Sequence, residues 1–176
     1  MGTGNIHRAL RPLGALVLVT GAFFATSSAA ADNAREARPR ARPAAAAAGF
    51  EIMSNLNNRC LNVAHLNTGN GASVQTYDCN GNPSERWTEN GSELRSDLSS
   101  KCLDLAIGNG DNGSAVQMYD CVGLKQQGWH WNGSEIHTDL NHRCLTITDA
   151  NWWQGASVTV RDCVAGGAAH QQWHKA

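Results

Sequence analysis

Residues 102–121 read CLDLAIGNGDNGSAVQMYDC. Two other stretches share their length and frame: CLNVAHLNTGNGASVQTYDC at residues 60–79 and CLTITDANWWQGASVTVRDC at residues 144–163. Each opens on Cys-Leu and closes on Asp-Cys, and successive copies start 42 residues apart. The segments leading into them align as well: EIMSNLNNRC, ELRSDLSSKC and EIHTDLNHRC, ending at Cys60, Cys102 and Cys144. Self-similarity at a fixed period marks a repeat architecture. Residues 50–176 therefore divide into repeats at 50–92, 93–134 and 135–176.

Within a repeat the period is two, the period of a strand. Leu103 and Leu105 point one way and Asp104 the other; Val116 and Met118 oppose Gln117 and Tyr119. Leu61 and Val63, Leu145 and Ile147, Val74, and Val158 and Val160 repeat the inward set. A further strand in each repeat carries Trp87, Trp129 or Trp173. Asn90-Gly91 and Asn132-Gly133 are two-residue hairpin signals between repeats. About four short strands per repeat, about twelve in all, point to an all-β fold rich in turns. One repeat cannot bury its apolar face alone. Three around a pseudo-threefold axis close a barrel without exposed edges, a β-trefoil. Six cysteines allow fifteen pairings. The repeat favours one bond inside each unit: Cys60 with Cys79, Cys102 with Cys121, Cys144 with Cys163.

The first 49 residues read differently. His7, Arg8 and Arg11 precede the apolar run LGALVLVTGAFFA at residues 13–25, followed by small residues up to Ala31. That order predicts a secretory signal peptide over residues 1–31. The run is too short for a membrane span, which needs about 20 apolar residues. Residues 32–49, with Arg35, Arg38, Arg40 and Arg42 and two prolines, read as a solvated linker or pro-segment. Residues 50–176 hold 8 Lys and Arg against 13 Asp and Glu, a net charge of −5. A net acidic domain argues against nucleic acid as a partner. An exported chain with six cysteines is expected to be extracellular and disulfide-bonded.

The pattern Cys-Leu-Asp, then Val-Gln-x-aromatic, then Gln-x-Trp, complete in repeat two and kept in part in the other two repeats, resembles the ricin-B-type lectin domains and the trefoil carbohydrate-binding modules of bacterial xylanases. The resemblance covers residues 50–176. It implies a sugar site built from the Asp after Cys-Leu, the aromatic before the second Cys, and polar residues ahead of the Trp. In repeat two these are Asp104, Tyr119, Gln126 and Gln127, with Gln117 in support. Many family sites carry Asn where Gln126 stands here. The residue types suit a saccharide: a ring covers the C–H face of a pyranose, a carboxylate accepts from neighbouring hydroxyls, and amides donate and accept. Because the Tyr119 position carries Arg161 in repeat three, this face is expected to be open to water. Repeat one, with Asn62, Gln75, Tyr77 and Glu85, lacks the first carboxylate and is expected to be weaker. Repeat three, with Thr146, Thr159 and Arg161, loses acid, amide and ring together.

The expected function is non-catalytic recognition of a polysaccharide or glycan, with galactose-, xylose- or arabinose-type units compatible, by a monomer needing no cofactor and no metal. Asp78, Asp120 and Asp162 occur in all three repeats regardless of pocket quality and read as structural. Gln127 serves either the sugar or the turn before Trp129. The competing class is a protein-interaction trefoil, a protease inhibitor or the targeting subunit of a toxin or enzyme. Trp152 and Trp153, adjacent in a polar loop, would be its contact. Catalysis is disfavoured: a glycosidase needs two carboxyls about 5–9.5 Å apart, and the sequence has no HExxH, nucleophile-elbow or zinc spacing.

Overall fold

A computed structural model describes residues 49–176. The expected signal peptide, and the linker up to residue 48, lie outside the described residues. Each repeat supplies four strands. The first repeat forms β1 (Phe50–Ser54), β2 (Cys60–Val63), β3 (Ala72–Tyr77) and β4 (Arg86–Asn90). The second forms β5 (Glu93–Ser96), β6 (Cys102–Leu105), β7 (Ser114–Tyr119) and β8 (Trp129–Asn132). The third forms β9 (Glu135–Thr138), β10 (Cys144–Ile147), β11 (Ala156–Arg161) and β12 (Trp173–Lys175).

The strands are antiparallel and the sheet closes on itself. β3, β7 and β11 pair with one another through Ser73 and Gln117, Thr159 and Ala115, and Ser157 and Gln75. β1 pairs with β12, joining the first repeat to the last. β3, β7 and β11 are paired along both edges, while β12 has β1 on one side and the single bridge between Glu135 and Gln172 near the other. This is the β-trefoil that the repeat predicted, with Cys60–Cys79, Cys102–Cys121 and Cys144–Cys163 each bonded inside its repeat.

The core repeats with the sequence. Ile52, Leu94 and Ile136 are buried, as are Leu61, Leu103 and Leu145. Each repeat's Trp plugs the barrel wall, and its indole N–H donates to the carbonyl of the Leu after the first Cys: Trp87 to Leu61, Trp129 to Leu103, Trp173 to Leu145. The lead-in turns are also shared. The hydroxyls of Ser54, Ser96 and Thr138 accept from the backbone N–H two residues on.

Two expectations shift. The hairpin turns are centred on Gly91-Ser92 and Gly133-Ser134, because Asn90 and Asn132 already pair with Glu93 and Glu135. Glycine takes the first turn position, where φ is +63° in both, at no steric cost. More consequentially, β2, β6 and β10 are buried on both faces. The 3-10 turns Pro83–Glu85, Lys125–Gln127 and Ala169–Gln171 pack over their outer sides.

Candidate functional site

Those turns govern the candidate pockets. In repeat two, Asp104 and Gln117 are register partners on β6 and β7. The Gln117 amide donates to Asp104 Oδ1 at 3.0 Å. Asp104 is only 3% exposed, which corrects the expectation of an open face at this position. Its covering is the Lys125–Gln127 turn. Burial pushes its carboxyl above the ordinary aspartate range, against hydrogen bonds from Gln117 and Gln127 that pull it down. Tyr119 ends β7 opposite Cys102 and is 40% exposed.

The two glutamines before Trp129 separate. Gln127 is fully buried. Its Oε1 accepts from the Val122 amide at 2.8 Å, and its Nε2 donates to the Asp120 carbonyl at 2.9 Å. It stitches the loop beneath the pocket. Gln126 is half-buried and lies against Gly108, where an added Cβ would come within 3.8 Å of its amide carbon. The neighbouring repeat supplies a wall: Gly71 approaches Gln117, and a Cβ there would sit 4.0 Å from Oε1.

Repeat one holds the same layers with the charge moved down. Asn62 Oδ1 accepts from Gln75 Nε2 at 3.2 Å. Its Nδ2 donates to Ser84 Oγ at 3.1 Å and to Glu85 Oε1 at 3.3 Å. Glu85 is fully buried, and its Oε2 accepts the Asn80 and Gly81 amides at 2.8 and 3.1 Å. So repeat two has acid above amide, and repeat one has amide above acid. Here the structure opens a pocket of about 410 Å³ that includes Asn62, Gln75, Tyr77, Asn80 and Asn82. His65, Leu66 and Gly155 also line it. Gly155 comes from repeat three, so no local sequence signal could have assigned it. Asn80 and Asn82 were legible only as a polar turn after Cys79.

Repeat three is closed. Thr146 is fully buried; its hydroxyl donates to the Cys144 carbonyl at 2.7 Å and accepts from Gln171 at 3.0 Å. Thr159 and Thr148 hydroxyls meet at 3.2 Å. Beside this plug, Trp152 and Trp153 are 56% and 76% exposed and line a separate pocket of about 470 Å³.

The recurrent acids are held in ion pairs: Asp78 with Arg59 at 2.7 Å, Asp120 with Lys101, and Asp162 with Arg143 at 2.7 Å. Lys101 and Asn70 hold the Asp120 carboxyl below the usual range, and Asn112 and Arg143 do so for Asp162. Acids approach each disulfide, with Glu135 and His137 beside Cys144–Cys163, but a disulfide sulfur is not the thiolate that a metal takes. Among the described residues, no helix is long and apolar enough to cross a membrane.

A family model for the ricin-type beta-trefoil lectin domain matches residues 48–173. No curated protein matches the chain. Solved structures agree on the fold. A designed threefold-symmetric protein, ThreeFoil, is 20% identical with a TM-score of 0.66, covering 72% of this chain and 96% of its own. The C-half of an earthworm R-type lectin, solved with GalNAc, is 18% identical with a TM-score of 0.62, covering 72% and 95%. The exo-beta-1,3-galactanase 1,3Gal43A of Clostridium thermocellum is 17% identical with a TM-score of 0.66, covering 74% of this chain and 30% of its own. At these identities the likeness establishes the fold alone.

Proposed function

Since the chain belongs to the ricin-type β-trefoil lectin domain family, a family that supports carbohydrate binding in general, we propose that it is a secreted, non-catalytic lectin recognising a sugar unit of a polysaccharide or glycan mainly through repeat two. The observation that carries this reading is the Asp104–Gln117 pair beside the exposed ring of Tyr119. Gln117 fixes one carboxylate oxygen of Asp104. The carboxylate accepts from a sugar hydroxyl, Tyr119 covers the C–H face, and Gln126 reaches a further hydroxyl. Gln127 acts from below by holding the loop. Repeat one is the weaker second pocket, since Asn62 spends its amide on Ser84, Glu85 and Gln75. Galactose-, xylose- and arabinose-type units suit these groups.

Binding without chemistry fits the acids in place. Asp120, the acid nearest in sequence to Tyr119, is committed to Lys101 and Asn70, whereas a glycosidase needs two working carboxyls about 5–9.5 Å apart. One shallow pocket gives a dissociation constant on the order of 0.1–10 mM. Export to an oxidising compartment accords with three disulfides and no free cysteine among the described residues.

Affinity-gel retardation against a panel of galactans, xylans and arabinans tests the reading, with Asp104→Asn and Tyr119→Ala beside the unaltered protein. Retardation by one polymer, weakened in both variants, is the expected result. Retardation unchanged in both would take the main site away from repeat two. No retardation by any polymer, from a chain with an intact near-UV spectrum, would sink the lectin reading.

A further inference from the structure

The tryptophan loop of repeat three adjoins the pocket of repeat one. Ser157, which lines the tryptophan pocket, is the register partner of Gln75, which lines the repeat-one pocket. Gly155 also faces the repeat-one pocket, and a Cβ on it would stand 3.8 Å from Gln75 Oε1. Residues 152–157 thus form a wall shared by two concavities of similar size, about 470 and 410 Å³.

The loop is fixed rather than free-standing. The Trp152 carbonyl accepts from Asn57 Nδ2 at 3.2 Å and from the Arg59 guanidinium, both of repeat one. The Trp153 amide donates to Asn151 Oδ1 at 3.0 Å. A ring held open to water in a bound loop loses little freedom when a ligand covers it. The rest of the lining is polar: the Asp149 carboxylate, the Asn151 amide and the hydroxyls of Thr148 and Ser157. An apolar peptide side chain would strip water from these groups without replacing their hydrogen bonds. A saccharide supplies hydroxyls for them and a C–H face for the indole. The exposed Asp149 carboxylate faces the Arg161 guanidinium at 3.5 Å, so the pair presents no net charge and suits a neutral sugar.

We propose that the two pockets are subsites of one cleft at the junction of repeats one and three, which binds consecutive units of a neutral glycan chain. Asn62, Gln75 and Tyr77 hold one unit. Trp153, with Asp149 and Asn151, holds a neighbouring unit. This rests on the lectin reading but not on repeat two. It predicts selectivity for chain length, which a single-sugar pocket does not produce.

The test is calorimetric titration of the full chain carrying Asp104→Asn, so that repeat two contributes little. The probes are β-1,4-xylose and β-1,3-galactose oligomers of one to four units. In one series, affinity should rise about tenfold between one unit and three. Adding Trp153→Ala should remove that rise, and Gln75→Ala should weaken every length. A flat ladder, or a rise that survives Trp153→Ala, would overturn the cleft and leave the lectin reading standing. Loss of all binding in Asp104→Asn alone, with the unaltered protein still binding, would overturn it too. Absence of binding by the unaltered protein to every oligomer would remove cleft and lectin reading together. A dimer in sedimentation velocity that Trp153→Ala disperses would assign the rings to a second copy of the chain.

Discussion

Asp104 carries a negative charge that its surroundings do not favour. Burial raises its carboxyl, so the folded state holds the proton more tightly than the unfolded chain does. The sign follows: the penalty is absent at low pH, grows as pH rises through the ordinary aspartate range toward the raised value, and is complete above it. Asp104→Asn should therefore raise the melting temperature at pH 7, with the gain shrinking as the pH falls. Asn62 shows that an amide fits this position, accepting from Gln75 as Asp104 accepts from Gln117. Glycan affinity runs the other way, because the hydroxyl acceptor is the charged form. Retardation by the polymer should weaken as pH falls through the raised pKa, and the Asn variant should lose that dependence. Affinity flat with pH would exclude the Asp104 carboxylate as acceptor. Thr76 is a second residue out of keeping with its place. It is fully buried, its hydroxyl has no partner, and its equivalents are Met118 and Val160. Thr76→Val keeps the shape and removes an unpaired polar atom, so the urea midpoint should rise by the equivalent of about 1 kcal/mol. An unchanged midpoint would mean that water satisfies the hydroxyl.

Strands were legible because alternation reports one thing, which side faces the core. Leu103, Leu105, Val116 and Met118 all fell inside as read. What alternation cannot report is a covering that arrives from later in the chain. Asp104 read as outward and open, yet the Lys125–Gln127 turn, some twenty residues on, roofs it. The same turn buries Gln127, for which the sequence left a sugar contact and a structural role open, and leaves Gln126 half-buried. The exchange between Asp104 over Gln127 and Asn62 over Glu85 was likewise visible as residues but not as a pairing, since only the fold stacks them. Backbone strain was hidden too. After β2, β6 and β10 the chain makes two successive left-handed residues: His65-Leu66, Ile107-Gly108 and Asp149-Ala150. Ile107 has φ +52° and is 94% exposed. A β-branched residue gains nothing there from burial and pays a steric cost of about 1–2 kcal/mol. Ile107→Asn should raise the melting temperature by about 2–4 °C. If melting stays put while glycan retardation falls, the exposed side chain contributes to binding instead.

At the scale of the whole molecule, the three repeats are not independent. The pairings among β3, β7 and β11, and between β1 and β12, complete only when all three are present. Unfolding should then be a single cooperative transition. The disulfides act differently, because each lies inside one repeat and spans 19 residues. On the chain-entropy account each is worth about 3 kcal/mol, chiefly by restricting the unfolded chain. Three together approach the whole stability of a domain this size, about 5–15 kcal/mol. Replacing Cys102 and Cys121 by Ala should leave a folded protein with a lower urea midpoint and a steeper slope, as the freed loop lets the unfolded chain expose more surface. Full reduction should go further: near-UV circular dichroism collapses at 37 °C, and all six thiols react with a labelling reagent in one phase. Sheet closure would then account for the concerted loss, and the disulfides for its dependence on reduction. A reduced chain that keeps its near-UV signal and melting temperature would show that sheet closure alone carries the fold. It would also remove the disulfides as support for export.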